Sequence, residues 1–308
     1  MGSGGIIPYP IIDLSNCVPE QLEQLGTKTK FWYYDEQGEY RLFKEGRPGT
    51  GENWAEKVCC ELCSQLKIPH AQYELAVWKD SRKGIVSPTF VPEGGRLILG
   101  NELLAKVVKD YDDSRRYRLR QHTIRVVMAV TASKNIDFPI GWQPPKEITD
   151  NAGVMVGYLM LDALVSNQDR HHENWGLIHI PEKGVSFAPT FDHASSLGRN
   201  ETDVSRIERL QTKDKGRSVE TYVARAKSAF YLSNTNTRPL STLEAFVEGA
   251  KNRQEAARYW LKMLSRIDLS SFEAILSRIP DTEITDPARE FSCKMLELNC
   301  KRLLDVNF

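Results

Sequence analysis

Asp169, Asn174 and Asp192 are the residues of this chain whose types and order could do chemistry together. They lie in LVSNQDRHHENWGLI (164–178) and VSFAPTFDHASSLG (185–198). Two carboxylates and an amide on loops beside a short hairpin suit a magnesium–phosphate site. Mg²⁺ takes hard oxygen ligands, commonly one or two carboxylates plus substrate phosphates. Asn174 can offer a neutral amide oxygen and Asp192 a carboxylate that bridges metal and phosphate. Asp169 is then free to accept the proton of an attacking hydroxyl. Taken singly, each of these residues reads more plainly as a turn former or a helix cap. The ordered set of helix, Asp, His, Asn, hairpin and Asp is far more specific. Adjacent His171 and His172 with two aspartates also raise a metal hydrolase, but no second histidine–carboxylate cluster accompanies them.

The elements that must position this set can be read from periodicity. An apolar helix over 149–167, capped by Thr149 or Asp150, delivers the polar loop. Strands over 176–180 and 185–191 flank the turn PEKG and bring Asp192 to the end of an apolar strand. Upstream, FWYY (31–34) and YRLFK (40–44) read as strands around a turn at Gly38. Trp54, Val58, Leu62 and Leu66 recur at helical spacing over 53–66, and Pro69 stops that helix. Segments 73–78 and 84–91 are two more strand candidates. EGG (93–95) reads as a linker. The expected class is α+β: a small β-rich lobe with one helix (6–92), then a larger, mainly helical lobe (93–308). Residues 1–5 read as a cloning remnant.

The segment Asp169-Arg170-His171-His172-Glu173-Asn174 resembles the Asp-x-His-x-x-Asn catalytic loop of HipA-like serine/threonine kinases. Ala188-Pro189-Thr190-Phe191-Asp192 resembles that family's metal-binding aspartate, and the spacing of the two aspartates fits. The loop is also similar to that of the phosphoinositide kinases. The resemblance implies a bilobed protein-kinase-like fold that uses ATP and Mg²⁺, with Asn174 and Asp192 on the metal. It also implies a strand lysine on the α/β-phosphates and a helical glutamate that orients it. These map to Lys44 and Glu56, with Glu52 as a competing acid. Gly26, Thr27, Lys28 and Thr29 occupy the place of the phosphate-covering loop, although no G-x-G-x-x-G is present. Phe90 and Val91, before the linker, are counted with the nucleotide-binding residues. Autophosphorylation in the family points to Thr27 or Thr29. The reading is therefore a compact protein Ser/Thr kinase that could serve as the toxin of a toxin–antitoxin system. Its partners would be a protein carrying the acceptor hydroxyl and an antitoxin or other regulator. A phosphoinositide-type lipid kinase and a catalytically silent nucleotide-binding module are the alternatives. Arg170 or His171 would support the loop, and Ser195, Ser196 and the stretch 199–220 would line the substrate groove.

Composition bounds the rest. The 308 residues carry 41 Lys+Arg and 41 Asp+Glu, so there is no global attraction to nucleic acid or anionic lipid. Arg115, Arg116, Arg118, Arg120 and Arg125, with Tyr111 and Tyr117, read as a solvated helix face before a nucleic-acid patch. No run reaches about 20 apolar residues, which speaks against a membrane span. Six cysteines are too few for a disulfide scaffold, and Cys59, Cys60 and Cys63 share one helix as buried thiols. That points to a reducing, cytoplasmic setting.

Overall fold

Residues 6–23 and 29–308 are described by the structure, a computed structural model. The first part is a six-stranded sheet around one helix: β1 (Ile11–Asp13), β2 (Gln21–Glu23), β3 (Lys30–Tyr34), β4 (Tyr40–Glu45), α1 (Glu52–Leu66), β5 (Glu74–Trp78) and β6 (Arg82–Pro88). The sheet order is β1-β5-β6-β4-β3-β2, so β4 lies inside the sheet between β3 and β6. The β3–β4 turn forms because Asp35 Oδ1 accepts from the Gln37 and Glu39 amides, and Gly38 takes φ +79° without steric cost. Alternation buries Phe31 and Phe43 on one face, packed with Trp78 and Val86. That face holds β4 rigid, and β4 carries Lys44.

The second part has a three-stranded sheet, β7 (Arg96–Leu99), β8 (Gly176–Ile180) and β9 (Gly184–Phe187), in the order β7-β8-β9. Its helices are α2 (Gly100–Val107), α3 (Ile124–Thr131), α4 (Asn151–Val165), α5 (Asp203–Gln211), α6 (Val219–Ala224), α7 (Thr242–Ala250), α8 (Gln254–Leu264), α9 (Leu269–Ser277) and α10 (Asp286–Leu304). Helix α4 is the axle: every one of its residues is buried, against α3, α7, α8 and α10. Asp150 caps it by accepting from the Gly153 amide at 3.0 Å, and Arg253 grips the same carboxylate. Gly157 allows Trp260 to lie against the helix, where a Cβ would come within 2.5 Å of the indole. Ser166, at φ +54°, ends the helix and turns the chain toward the site.

One core runs through both parts. Trp54, Val58, Leu62 and Leu66 of α1 belong to the same buried cluster as Val154, Leu161 and Leu164 of α4. Several expectations need correction. The strand expected over 84–91 ends at Pro88, so Phe90 and Val91 lie in the turn after it. The strand expected over 185–191 ends at Phe187, and Asp192 sits beyond it with φ +56°. The arginine-rich stretch before residue 124 is turns, not a helix face, because Asp110 and Arg118 adopt positive φ. The residues after the 93–95 linker form β7, which pairs with β8. Among the described residues no helix is long and apolar enough to cross a membrane.

Candidate active site

The loop after α4 is polar in composition yet mostly buried: Asn167, Arg170, His171, His172 and Asn174 are all shielded from solvent. Such burial of a polar loop is possible only because its polar groups are paired. Arg170, with no exposed surface, makes a two-pronged ion pair with Asp162 of α4 (Nε to Oδ2 2.9 Å, Nη2 to Oδ1 2.8 Å). Its Nη1 donates to the carbonyls of Asn174 (2.9 Å) and Phe191 (3.4 Å). One guanidinium thus ties the loop, α4 and the segment that ends in Asp192. Asn167 bridges Asp162 and the Asp169 amide. His171 Nδ1 accepts from the Glu173 amide at 3.1 Å, and burial lowers its pKa to about 4, so the ring is neutral near pH 7.

Asp169 projects from this scaffold. Burial first, then repulsion by Asp192, pushes its carboxyl up to about 6; the Ser195 hydroxyl and Arg199 pull the other way. Asn174 Nδ2 donates to the Asp169 carbonyl at 2.6 Å, which leaves Oδ1 as the atom it can offer. Asp192 is held by its amide on the Tyr73 hydroxyl (3.2 Å) and by Lys44, whose Nζ lies 2.7 Å from Oδ1. Burial alone would raise the Asp192 carboxyl, but the Lys44 ammonium outweighs it and holds the pKa below the usual carboxylate range. Burial opposes the charge on Lys44 as well; Asp192 and then Glu56 offset it, so its pKa is raised and it stays cationic. The Asp192 side chain is 38% exposed, and only its Oδ1 is engaged by Lys44. Asn174 Oδ1 and Asp192 are hard oxygen donors and fit Mg²⁺ with phosphate completing the shell. Among the described residues no group of three or more His, Cys, Asp or Glu forms a metal cage.

Glu56 departs from the expected arrangement. It does not hydrogen-bond Lys44. It is fully buried, its Oε1 accepts from the His193 amide at 2.7 Å and lies 3.1 Å from His193 Nδ1, and its Oε2 is buried without a hydrogen-bond partner. The reason is the position of His193, which follows Asp192 and is pinned on its other side to Thr190 Oγ1 at 2.8 Å. Glu56 therefore acts on Lys44 through charge and on Asp192 through its neighbour. The competing acid, Glu52, is buried and receives Arg199 Nη1, the Arg47 amide (3.0 Å) and Arg47 Nη1 (3.2 Å). Arg199 Nη2 donates to Ser195 Oγ at 3.0 Å, and that hydroxyl donates to Asp169 Oδ2 at 3.3 Å.

Of the remaining expected residues, Gly26, Thr27 and Lys28 lie outside the described residues. Thr29 accepts from the Glu45 amide through its carbonyl (2.9 Å) and from Arg82 through its hydroxyl (3.4 Å), beside the end of β4. Lys30 stands opposite Lys44 in the β3–β4 register. Phe90 stacks on Phe191 with ring centres 5.5 Å apart and lines a cavity of about 720 Å³ with His70, Trp142 and Pro189. Val91 is folded back on Thr89. Asp169 and Ser195 line a smaller cavity of about 300 Å³ with Tyr117, Arg199 and Tyr222. Ser195 and Arg199, the first residue of the 199–220 stretch, are both expected at a groove and both line this cavity; His193 carries no sequence signal beyond following Asp192.

No protein-family profile and no curated protein matches the chain. Solved structures do. The Helicobacter pylori proinflammatory kinase CtkA aligns with a TM-score of 0.72 at 17% identity, over 97% of this chain and 100% of that one. HipA of Shewanella oneidensis MR-1, solved as a toxin–antitoxin complex with HipB and operator DNA, aligns with a TM-score of 0.57 at 12% identity, over 100% of this chain and 77% of that one. Identities this low speak to architecture alone, and on architecture the chain has the α+β, bilobed protein-kinase-like fold.

Proposed function

We propose that the chain is an ATP- and Mg²⁺-dependent phosphotransferase that acts on serine or threonine hydroxyls of proteins. The observation that carries this reading is the 2.7 Å contact between Lys44 Nζ of β4 and Asp192 Oδ1, 148 residues apart, beside Asp169 and Asn174. A strand cation, a metal-type carboxylate, an amide and a high-pKa carboxyl brought near one another answer the needs of phosphoryl transfer, which is mostly positioning and charge stabilisation. Bound Mg²⁺–ATP supplies the phosphoryl group and neutralises its charge. Asn174 Oδ1 and Asp192 would hold the metal. Lys44 would bind the α- and β-phosphates, with Glu56 keeping it cationic. Thr29, with Gly26, Thr27 and Lys28, would face the phosphates, and Phe90 and Val91 the base. Asp169 would orient the acceptor hydroxyl and take its proton.

In this reading residues 6–92 and 93–308 are the two lobes of one kinase domain, and the protein works in the cytoplasm. The likeness to HipA, whose solved complex holds HipB and operator DNA, supports a toxin-like regulator restrained by a partner protein. Autophosphorylation at Thr27 or Thr29 belongs to the same reading. The test is incubation with labelled ATP and Mg²⁺ in the presence of lysate proteins. Asp192→Ala should abolish transfer and Lys44→Ala should cut it at least tenfold, with circular dichroism unchanged. Normal Mg²⁺-dependent turnover by Asp192→Ala would sink the assignment.

A further inference from the structure

Beside the candidate base the chain keeps a hydroxyl of its own. Ser195 Oγ donates to Asp169 Oδ2 at 3.3 Å, the bond an acceptor hydroxyl must make with a general base before it attacks. The side chain is only partly buried and opens into the same cavity of about 300 Å³ that Asp169 lines. The backbone on either side is fixed: the Ser195 carbonyl accepts from the Gln168 amide (3.4 Å), and the Leu197 amide donates to Val165 of α4 (2.9 Å). Ser195 therefore reaches the base without any loop having to fold in. On the far side Arg199 Nη2 already donates to the same oxygen at 3.0 Å. A guanidinium in that place is a ready seat for a phosphate, which it can bind through two parallel hydrogen bonds. Ser196 is a poor rival, since its hydroxyl is buried and it shows no contact with Asp169.

We propose that Ser195 is a phosphorylation site of this protein, modified within the same molecule by its own active site. The inference rests on the phosphotransfer reading above and adds a residue that the resemblance does not supply. The Ser195 O–H bond breaks and its proton passes to Asp169 Oδ2. The oxygen bonds to the γ-phosphorus of ATP while the bond from that phosphorus to the β,γ-bridging oxygen breaks, and the electron pair leaves on ADP. The phosphoserine then lies between Arg199 and Asp169. It covers the carboxylate that an external acceptor would need, and it competes with Glu52 for Arg199. Modification is thus self-limiting and lowers transfer to other proteins.

The test is phosphopeptide mapping of the full chain after incubation with Mg²⁺–ATP, with casein present as a general acceptor. Fragmentation of the tryptic peptide 184–199 should place one phosphate on Ser195. The fraction of chains labelled per unit time should not change over a tenfold range of protein concentration, and an Asp169→Asn chain mixed with wild type should stay unlabelled at Ser195. Transfer to casein should slow in step with Ser195 occupancy. Casein labelling with Ser195 bare, or with the phosphate on Ser186, Thr190 or Ser196 instead, overturns the proposal and spares the phosphotransfer reading. Labelling of the Asp169→Asn chain in the mixture overturns the intramolecular route. A chain that binds no ATP and labels neither itself nor casein overturns both.

Discussion

At the residue scale the informative quantity is the displaced ionisation of Asp169. Its carboxyl titrates near 3.8 in the unfolded chain and near 6 in the fold. Between those values the folded state binds more protons, so its contribution to stability falls as pH rises from about 4 to 6, and the penalty is complete above that. Asp169→Asn should therefore stabilise the ligand-free protein by up to roughly 2 kcal/mol at pH 7.5, discounted from two pKa units because the side chain keeps some solvent contact. The gain should vanish below about pH 4; urea midpoints at the two pH values check both halves. Taken as the base, the same group makes kcat/KM fall below about pH 6 in wild type. A variant that is inactive and no more stable at pH 7.5 would show that the acid is not under strain. Asp169, Asn174 and Asp192 stand out in the sequence as candidates because their order is unusual. The partners of Lys44 and Glu56 do not. Residue order carries no information on whether a buried acid faces a lysine or the amide of His193.

At the element scale, α4 decides where the loop begins. Its helical span and its Asp150 cap could be read from the sequence, since an acidic cap before an unbroken apolar run is a local signal. Its all-round burial could not, because a 3.6-residue pattern disappears when every face is covered. Gly157 shows the consequence. The indole of Trp260 cannot retreat, since its Nε1 donates to the Gly153 carbonyl at 2.9 Å. Gly157→Ala should cost about 1–3 kcal/mol through overpacking, despite the better helix propensity of alanine, and should lower the denaturation midpoint without changing the slope. A midpoint equal to that of wild type would mean that α4 and α8 can slide. The strands at 84–91 and 185–191 were read too long for the opposite reason: apolar residues continue past Pro88 and Phe187, but the ladder pairing stops there. Those overruns are where Phe90 and Phe191 stack and where Asp192 departs from extended geometry.

At the scale of the whole molecule, the boundary expected near residue 92 does not divide the buried core. Helix α1 belongs to the first lobe by sequence, yet its apolar side chains complete the core of the second. A fragment of residues 93–308 should therefore be insoluble or lack a cooperative thermal transition, whereas the full chain should unfold in one step. A fragment that melts cooperatively would show two independent cores. The pattern of α1 announced an apolar stripe but could not name what it would cover. The same burial gives the molecule a chemical clock. Cys59, Cys60 and Cys63 lie on α1 and burial pushes their thiols up, Cys60 to about 12, so almost none is thiolate at neutral pH. Cys17, Cys293 and Cys300 are only partly covered. An alkylating reagent would thus mark those three early, and the slow capture of the α1 sulfurs would time each excursion of the helix that carries Glu56 away from the loop that follows α4.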